Sequence, residues 1–254
     1  MKLANKVALI TGAGSGQGRA ASLLFSGEGA AIAAVDIDAE SAIATAAEIE
    51  GRGGRAFGMR ADVSKEADAE RMVAATIERF GQIDVLYNNA GIEGDVTADF
   101  FDLENFDRVM GVNLRGAVLA MKYAIPHMIK RGSGAVINTS SIAAIMGFPG
   151  GLPYAASKAG IVAITRVAGM VYAPHGIRIN CILPGPIDTP MWRRTIGSGG
   201  EVRPAMNPVS PLGGRAGTPE EIAKVALFLA SDDASFAVAR PFVIDGAWTT
   251  GLNH

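Results

Sequence analysis

The sequence predicts an α/β fold: one domain, residues 1–254, built on a doubly wound parallel sheet of about seven strands with helices on both faces. Three observations predict it. Short apolar runs alternate with helix-patterned segments from one end of the chain to the other. A glycine-rich turn, "TGAGSGQG", joins the first run to the first helical segment. No linker, charge block or low-complexity stretch divides the chain. Strand–helix–strand alternation with right-handed crossovers gives a parallel sheet covered on both sides.

In chain order, "KVALITG" is a short apolar run ending in glycine and reads as a buried strand. The helix that follows, "GQGRAASLLFSGEGA", has helical spacing at Ala20, Leu23 and Leu24. "AIAAVDID" is a second strand, and "AESAIATAAEIEG" a helix stopped by Gly51. "RAFGMRADV" is a third strand, with Ser64 as cap of the helix "KEADAERMVAATIERFG". "IDVLYNNAG" is a fourth strand. Residues 102 to 131 form a long helical region with Pro126 as a candidate kink. "GAVINTSSIAA" is a fifth strand, and the helix opening with "YAASK" has small residues that permit tight packing. "IRINCILPG" is a sixth strand. Residues 186 to 216, rich in Gly and Pro, read as a mobile flap. Thr218 caps the last long helix, with Pro219 in its first turn, and "RPFVIDG" is the final strand.

Composition excludes several classes. The chain is 49% hydrophobic and 19% charged, the mix of a globular protein with a large core. Its net charge of −2 gives no field for nucleic acid or an anionic membrane. No apolar stretch of about 20 residues suggests a membrane span, and the apolar run near Met1 is too short for a secretory signal. The single cysteine, Cys181, reads as a buried strand residue and fits a reducing, cytoplasmic compartment. The three histidines are scattered, so no metal site is expected.

The glycine turn carries the first functional signal. Gly12, Gly16 and Gly18 give a G-x-x-x-G-x-G spacing, with Ser15 and Gln17 between. Glycines there permit a tight turn and let backbone N–H groups approach a pyrophosphate at a helix N-terminus. Asp36, at the end of the second strand, is placed to accept hydrogen bonds from a ribose diol and to repel a 2′-phosphate. Neither Ser15 nor Ile37 supplies a compensating positive charge, and Arg19 should point elsewhere. NAD is therefore expected rather than NADP.

These residues, with "DV" at Asp62 and Val63, "NNAG" at 88–91, Asn113 in "GVNLRG", Ser140 and Ser141, "YAASK" at 154–158 and "PG" at Pro184 and Gly185, resemble the short-chain dehydrogenase/reductase family over nearly the whole chain. The resemblance implies a Rossmann-type fold and an NAD(P)-dependent oxidoreductase. It implies that Tyr154 is the general acid/base, that Ser141 holds the substrate oxygen, and that Lys158 binds the nicotinamide ribose and favours the tyrosinate. Asn113 matches an asparagine supporting a proton path to that lysine. Asp62 and Val63 resemble the pair at adenine; Asn88 and the backbone of Asn89, Ala90 and Gly91 would line the cleft. Pro184, Gly185, Ile187 and Thr189 would face the nicotinamide. Family members often assemble as tetramers through the last strand. Here Ala239, Ala247 and Pro241 depart from that strand's usual pattern; a homo-oligomer, tetramer or dimer, is expected.

The "YAASK" spacing agrees with this chemistry. Positions i and i+4 share a helix face. Free tyrosine, with a pKa of about 10, is too weak an acid for efficient proton transfer at neutrality. A cation within about 4–6 Å favours its ionised form, so Lys158 is expected to make Tyr154 more acidic. Ala143, Met146, Phe148, Met191 and Trp192 suggest an apolar pocket for a hydrophobic or cyclic secondary alcohol. Ser141, Ala143, Phe148, Tyr154, Met191 and Trp192 are the expected substrate contacts. Arg193 and Arg194 read as solvated flap residues, and Glu93 as a candidate neighbour of the pocket. The rival readings are a sugar dehydrogenase, a 3-oxoacyl thioester reductase, and a dinucleotide-binding protein without catalysis.

Overall fold

The computed structural model describes residues 1–95, 97–147, 151–197 and 210–250. Seven strands form one parallel sheet: β1 (Val7–Thr11), β2 (Ala31–Asp36), β3 (Arg55–Arg60), β4 (Val85–Asn88), β5 (Gly134–Thr139), β6 (Ile177–Pro184) and β7 (Pro241–Ile244). Their spatial order is β3-β2-β1-β4-β5-β6-β7. The order reverses direction between β1 and β4, and at such a switch point the loops after neighbouring strands diverge and open a crevice.

Each strand reads as an apolar run because both faces of the sheet are covered. In β1, Ala8 and Ile10 enter one core while Leu9 enters the other. In β2, Ile32 and Ala34 face the first core, and Ala33 and Val35 the second. Helices α1 (Gly16–Gly27), α2 (Ala39–Gly51) and α8 (Pro219–Ala230) contribute to the first core, through Phe25, Ile49 and Ile222 among others. Helices α3 (Glu66–Phe80) and α5 (Gly116–Arg131) contribute to the second. Helix α6 (Leu152–Tyr172) covers β6 through Ile161 and Val162, which pack with Cys181 and Leu183. The small residues expected in α6 do permit close approach: a Cβ on Gly169 would lie 2.7 Å from the Ala239 Cβ.

Several local expectations change. Ser64 does not cap α3; its hydroxyl donates to Asp62 Oδ1 at 2.7 Å, and the residue before the helix is Lys65. The 102–131 region is not one α-helix. It runs α4 (Leu103–Met110), a π-helical turn over Gly111–Arg115, then α5. Such a turn inserts an extra residue into the helical ladder and commonly marks a functional position. The flap is not wholly irregular, because α7 (Pro190–Gly197) occupies its first part; residues 198–209 lie outside the described residues. Thr218 caps α8 as expected, in a reciprocal capping box with Glu221. Cys181 is fully buried, and burial pushes its thiol up to about 11. Among the described residues no helix is long and apolar enough to cross a membrane.

Candidate active site

The C-terminal ends of β1, β2, β4, β5 and β6 open onto a cavity of about 1040 Å³. Gly12, Ser15, Gly16, Gln17, Asp36, Ile37, Asp62 and Val63 form one part of its wall. Asn89, Ala90, Gly91, Ser141, Ala143, Tyr154, Lys158, Pro184, Gly185, Ile187, Thr189, Met191 and Trp192 line it as well. These are nearly all the residues that the sequence nominated, brought together from every part of the chain.

The glycine turn is braced from both sides. Thr11 Oγ1 accepts from Asn89 N and Ala90 N, both at 3.1 Å, and Asn89 Nδ2 donates to Thr11 O at 3.1 Å. Gly12 has φ +66°, where a side chain is strained, and a Cβ on it would lie 2.9 Å from Ala90 Cα. Gly18 is not part of the cavity wall. A Cβ there would lie 2.1 Å from Gly12 O, so Gly18 is required for packing of the turn rather than for ligand contact. Asp36 Oδ2 accepts from Gly14 N at 2.9 Å, and Oδ1 from Asp38 N at 3.1 Å. Those bonds fix the carboxylate at the mouth of the turn. Arg19 points away and pairs with Glu48.

Asn88 does not line the cavity. Strand alternation turns it inward, where its Nδ2 donates to Asn138 Oδ1 at 2.9 Å; Asn138 in turn donates to Thr165 Oγ1 at 2.9 Å. Asn89, one residue on, takes the cavity position.

At the other end, Ser140 and Ser141 point apart as the strand pattern predicts. Ser140 Oγ donates to Lys158 O at 2.7 Å and anchors α6 to β5. Ser141 is hydrogen-bonded to the Tyr154 hydroxyl, and its own Oγ accepts from Ala143 N at 3.2 Å. Lys158 is 3% exposed; its Nζ donates to Thr139 O at 2.9 Å and lies 5.5 Å from the centre of the Tyr154 ring. Asn113, placed by the π-helical turn, clamps Ile92: Oδ1 accepts from Ile92 N and Nδ2 donates to Ile92 O, each at 2.8 Å. Its Nδ2 also donates to Ser157 Oγ at 3.0 Å. A Cβ on Gly91 would come within 3.4 Å of both Asn113 Oδ1 and Lys158 Nζ, so glycine keeps that channel clear.

The expected acidification of Tyr154 is not what the protein alone shows. Burial dominates and pushes the phenol up to about 12; Ser141 opposes this, and the Glu93 carboxylate adds to it. Burial likewise pushes Lys158 down to about 8. The reason is geometric. The ammonium sits over the face of the ring, and removing either charged form from water costs more than their mutual attraction returns.

The substrate end is mixed. Ala143, Met146, Met191 and Trp192 line the cavity as expected; Phe148 lies outside the described residues. Thr189 both lines the cavity and caps α7, accepting from Trp192 N at 3.2 Å. Arg193 is held by Asp188 in a two-pronged ion pair at 2.6 and 2.8 Å, while Arg194 and Glu93 do reach the wall. Sequence reasoning missed Ile142, Asp107, Arg108 and Trp248. Trp248 follows the strained exit from β7, where Ala247 has φ +71°, and only the aromatic itself marked the position. Among the described residues no cluster of three or more His, Cys, Asp or Glu could hold a metal.

Comparison with known proteins agrees in extent and in kind. A family model described as enoyl-(acyl carrier protein) reductase matches residues 12–249. The chain is 40% identical over 250 residues to the cyclohexanol dehydrogenase of Acinetobacter sp. (strain SE19), covering 98% of this chain and 97% of that protein. It superimposes on the crystal structure of levodione reductase with a TM-score of 0.91 at 39% identity, over 98% of this chain and 100% of the other. It superimposes on a short-chain type dehydrogenase/reductase from Mycobacterium marinum with a TM-score of 0.92 at 33% identity, over 98% of each chain.

Proposed function

Starting from the premise that this chain belongs to the short-chain dehydrogenase/reductase family and is an oxidoreductase of that kind, we propose that it interconverts a secondary alcohol and a ketone with NAD. The observation that carries this reading is the convergence of Ser141, Tyr154 and Lys158 on one wall of the cavity whose other end is marked by Asp36. The residues fit a nicotinamide dinucleotide: glycines whose Cβ atoms would collide with their surroundings line the turn, and a carboxylate stands at the end of β2. When bound, NAD supplies the hydride acceptor, and NADH the donor.

The protein's own residues handle the proton. Ser141, within hydrogen-bonding reach of the Tyr154 hydroxyl, positions the substrate oxygen beside the phenol. In ketone reduction Tyr154 donates its proton to that oxygen as negative charge develops there; in alcohol oxidation the tyrosinate takes it back. With the phenol pushed up to about 12, Tyr154 holds its proton in the ligand-free protein, and its release to the substrate oxygen depends on stabilisation of the tyrosinate as it forms. Lys158, whose ammonium lies 5.5 Å from the ring centre, stabilises the tyrosinate as it forms and would hold the nicotinamide ribose. Asn113 fixes the Ile92 backbone beside Lys158 and supports proton exchange with solvent.

Asp36 supports NAD over NADP by charge repulsion at the 2′ position. Ala143, Met146, Met191 and Trp192 support a hydrophobic or cyclic substrate, as do relatives named for cyclohexanol and levodione. A homo-oligomer is supported by exposed Val118 on α5 and Val167, Met170 and Val171 on α6. The lone buried Cys181 supports a cytoplasmic setting.

The test is a panel of cyclic and linear secondary alcohols and ketones, run with both nicotinamide cofactors on wild type and Tyr154→Phe. Turnover should fall at least about 10²-fold in the variant, with NADH affinity held within a few-fold. Near-wild-type turnover by Tyr154→Phe removes the acid/base assignment.

A further inference from the structure

Gln17 stands at the second position of α1, and its side chain is out of place for a purely structural role. Its Oε1 is buried and has no hydrogen-bond partner among the described residues. Buried amide oxygens are nearly always paired, and leaving one unpaired costs free energy that a leucine or methionine of similar size would avoid. Yet Gln17 is part of the cavity wall.

Its place along that wall follows from its neighbours. A Cβ on Gly14 would lie 3.0 Å from Asp36 Oδ2, so the turn begins against the Asp36 end. A Cβ on Gly16 would lie 3.3 Å from Thr189 Cγ2 and 3.8 Å from Pro190 Cδ, so by residue 16 the turn has crossed to the Thr189 side. Gln17 comes next. An orphaned acceptor calls for a donor from the ligand. The phosphates of a dinucleotide offer none, the adenine amine belongs with Asp62, and the adenine-side ribose diol with Asp36. On the nicotinamide side the donors are the ribose hydroxyls, placed with Lys158, and the carboxamide N–H.

We infer that the Gln17 side-chain oxygen accepts a hydrogen bond from the carboxamide of the nicotinamide ring, and so fixes which way the ring is turned towards Tyr154. The inference rests on the dinucleotide reading above. Gln17 is thus a positioning residue for the reaction: it acts on the ring's orientation, not on the transferred proton.

The test is equilibrium binding of three probes to wild type, Gln17→Leu and Gln17→Met. NAD has the carboxamide; 3-acetylpyridine adenine dinucleotide keeps the carbonyl but replaces the amine with a methyl; ADP-ribose lacks the ring. Loss of one hydrogen bond should weaken NAD binding about 3- to 10-fold in both variants, with changes under about 2-fold for the other two probes. Ligand-free Gln17→Leu should melt at the same temperature as wild type or higher, since the orphaned oxygen is gone. Equal weakening of all three probes, unchanged NAD affinity, or a lower melting temperature in both ligand-free variants overturns the inference. Wild type that binds none of the three probes overturns the dinucleotide reading itself, and the inference with it.

Discussion

Replacing Lys158 with methionine should make the ligand-free protein more stable while disabling it. The magnitude follows from the site. Burial lowers the ammonium from 10.5 to about 8, and at 1.36 kcal/mol per unit this is a cost of about 3 kcal/mol for holding the charge at pH 7. Methionine has nearly the same length and no charge to bury. It also gives up the 2.9 Å bond to Thr139 O, worth about 1–2 kcal/mol with the carbonyl left unpaired. The expected net gain is about 1–2 kcal/mol at pH 7. The pH dependence fixes the cause. Between about pH 8 and 10.5 the unfolded chain keeps the lysine proton that the folded protein has lost, so wild-type stability rises with pH across this window. Below about pH 8 both states are protonated and the full cost remains. The advantage of Lys158→Met should therefore be constant up to about pH 7 and shrink by about 2 kcal/mol by pH 9.5. Urea unfolding at matched protein concentration at pH 6, 7, 8.5 and 9.5 measures this directly. A variant less stable than wild type at pH 7, or a gap that does not narrow with pH, would refute the claim that the lysine is held there against a desolvation cost.

Two other outcomes follow from the same geometry. Asp36→Asn removes one negative charge facing the 2′ position. With a Coulomb term between about 1 kcal/mol in water and about 4 kcal/mol in a partly buried setting at 4 Å, the NADP-to-NAD ratio of kcat/KM should rise about 5- to 10³-fold; an unchanged ratio means the carboxylate does not face that position. Ala239 has φ +60°, which costs an L-residue about 1–2 kcal/mol, less about 0.4–1 kcal/mol for the extra unfolded-state freedom of glycine. Ala239→Gly should thus stabilise the protein by about 0.5–1 kcal/mol and raise Tm by about 1–4 °C, and calorimetry that shows a lower Tm contradicts the strain argument.

What could be read from the sequence was whatever depends on local periodicity. The alternation of Ala8, Leu9 and Ile10 between two cores was legible because each strand is covered on both faces. The Tyr154–Lys158 pair and the divergence of Ser140 from Ser141 were legible because helix and strand geometry fixes direction. The π-helical turn at Asn113 was not, because its cause is tertiary: the asparagine clamps Ile92, 21 residues earlier. The assignment of Asn88 to the cleft failed by one residue, and in a strand one residue is the other face. Ser64 looked like a cap because serine commonly is one, but Asp62 takes its hydroxyl. The protonation balance at Tyr154 and Lys158 was misjudged because spacing along a helix reports proximity and says nothing about how little water surrounds the pair. Asp107, Arg108 and Trp248 went unnoticed because nothing in their neighbourhood distinguishes them until the loops are brought together.

The inward-facing chain Asn88–Asn138–Thr165, with the Ser140 bond to the Lys158 carbonyl, rivets the reactive helix to the middle of the sheet. Helix α7 is anchored locally, at the C-terminal end of β6, by its own cap at Thr189 and the Asp188–Arg193 ion pair. Machinery and mouth thus have separate anchors. Grafting a different 186–216 segment onto this chain should hand the enzyme new alcohols while leaving its proton handling where it stands.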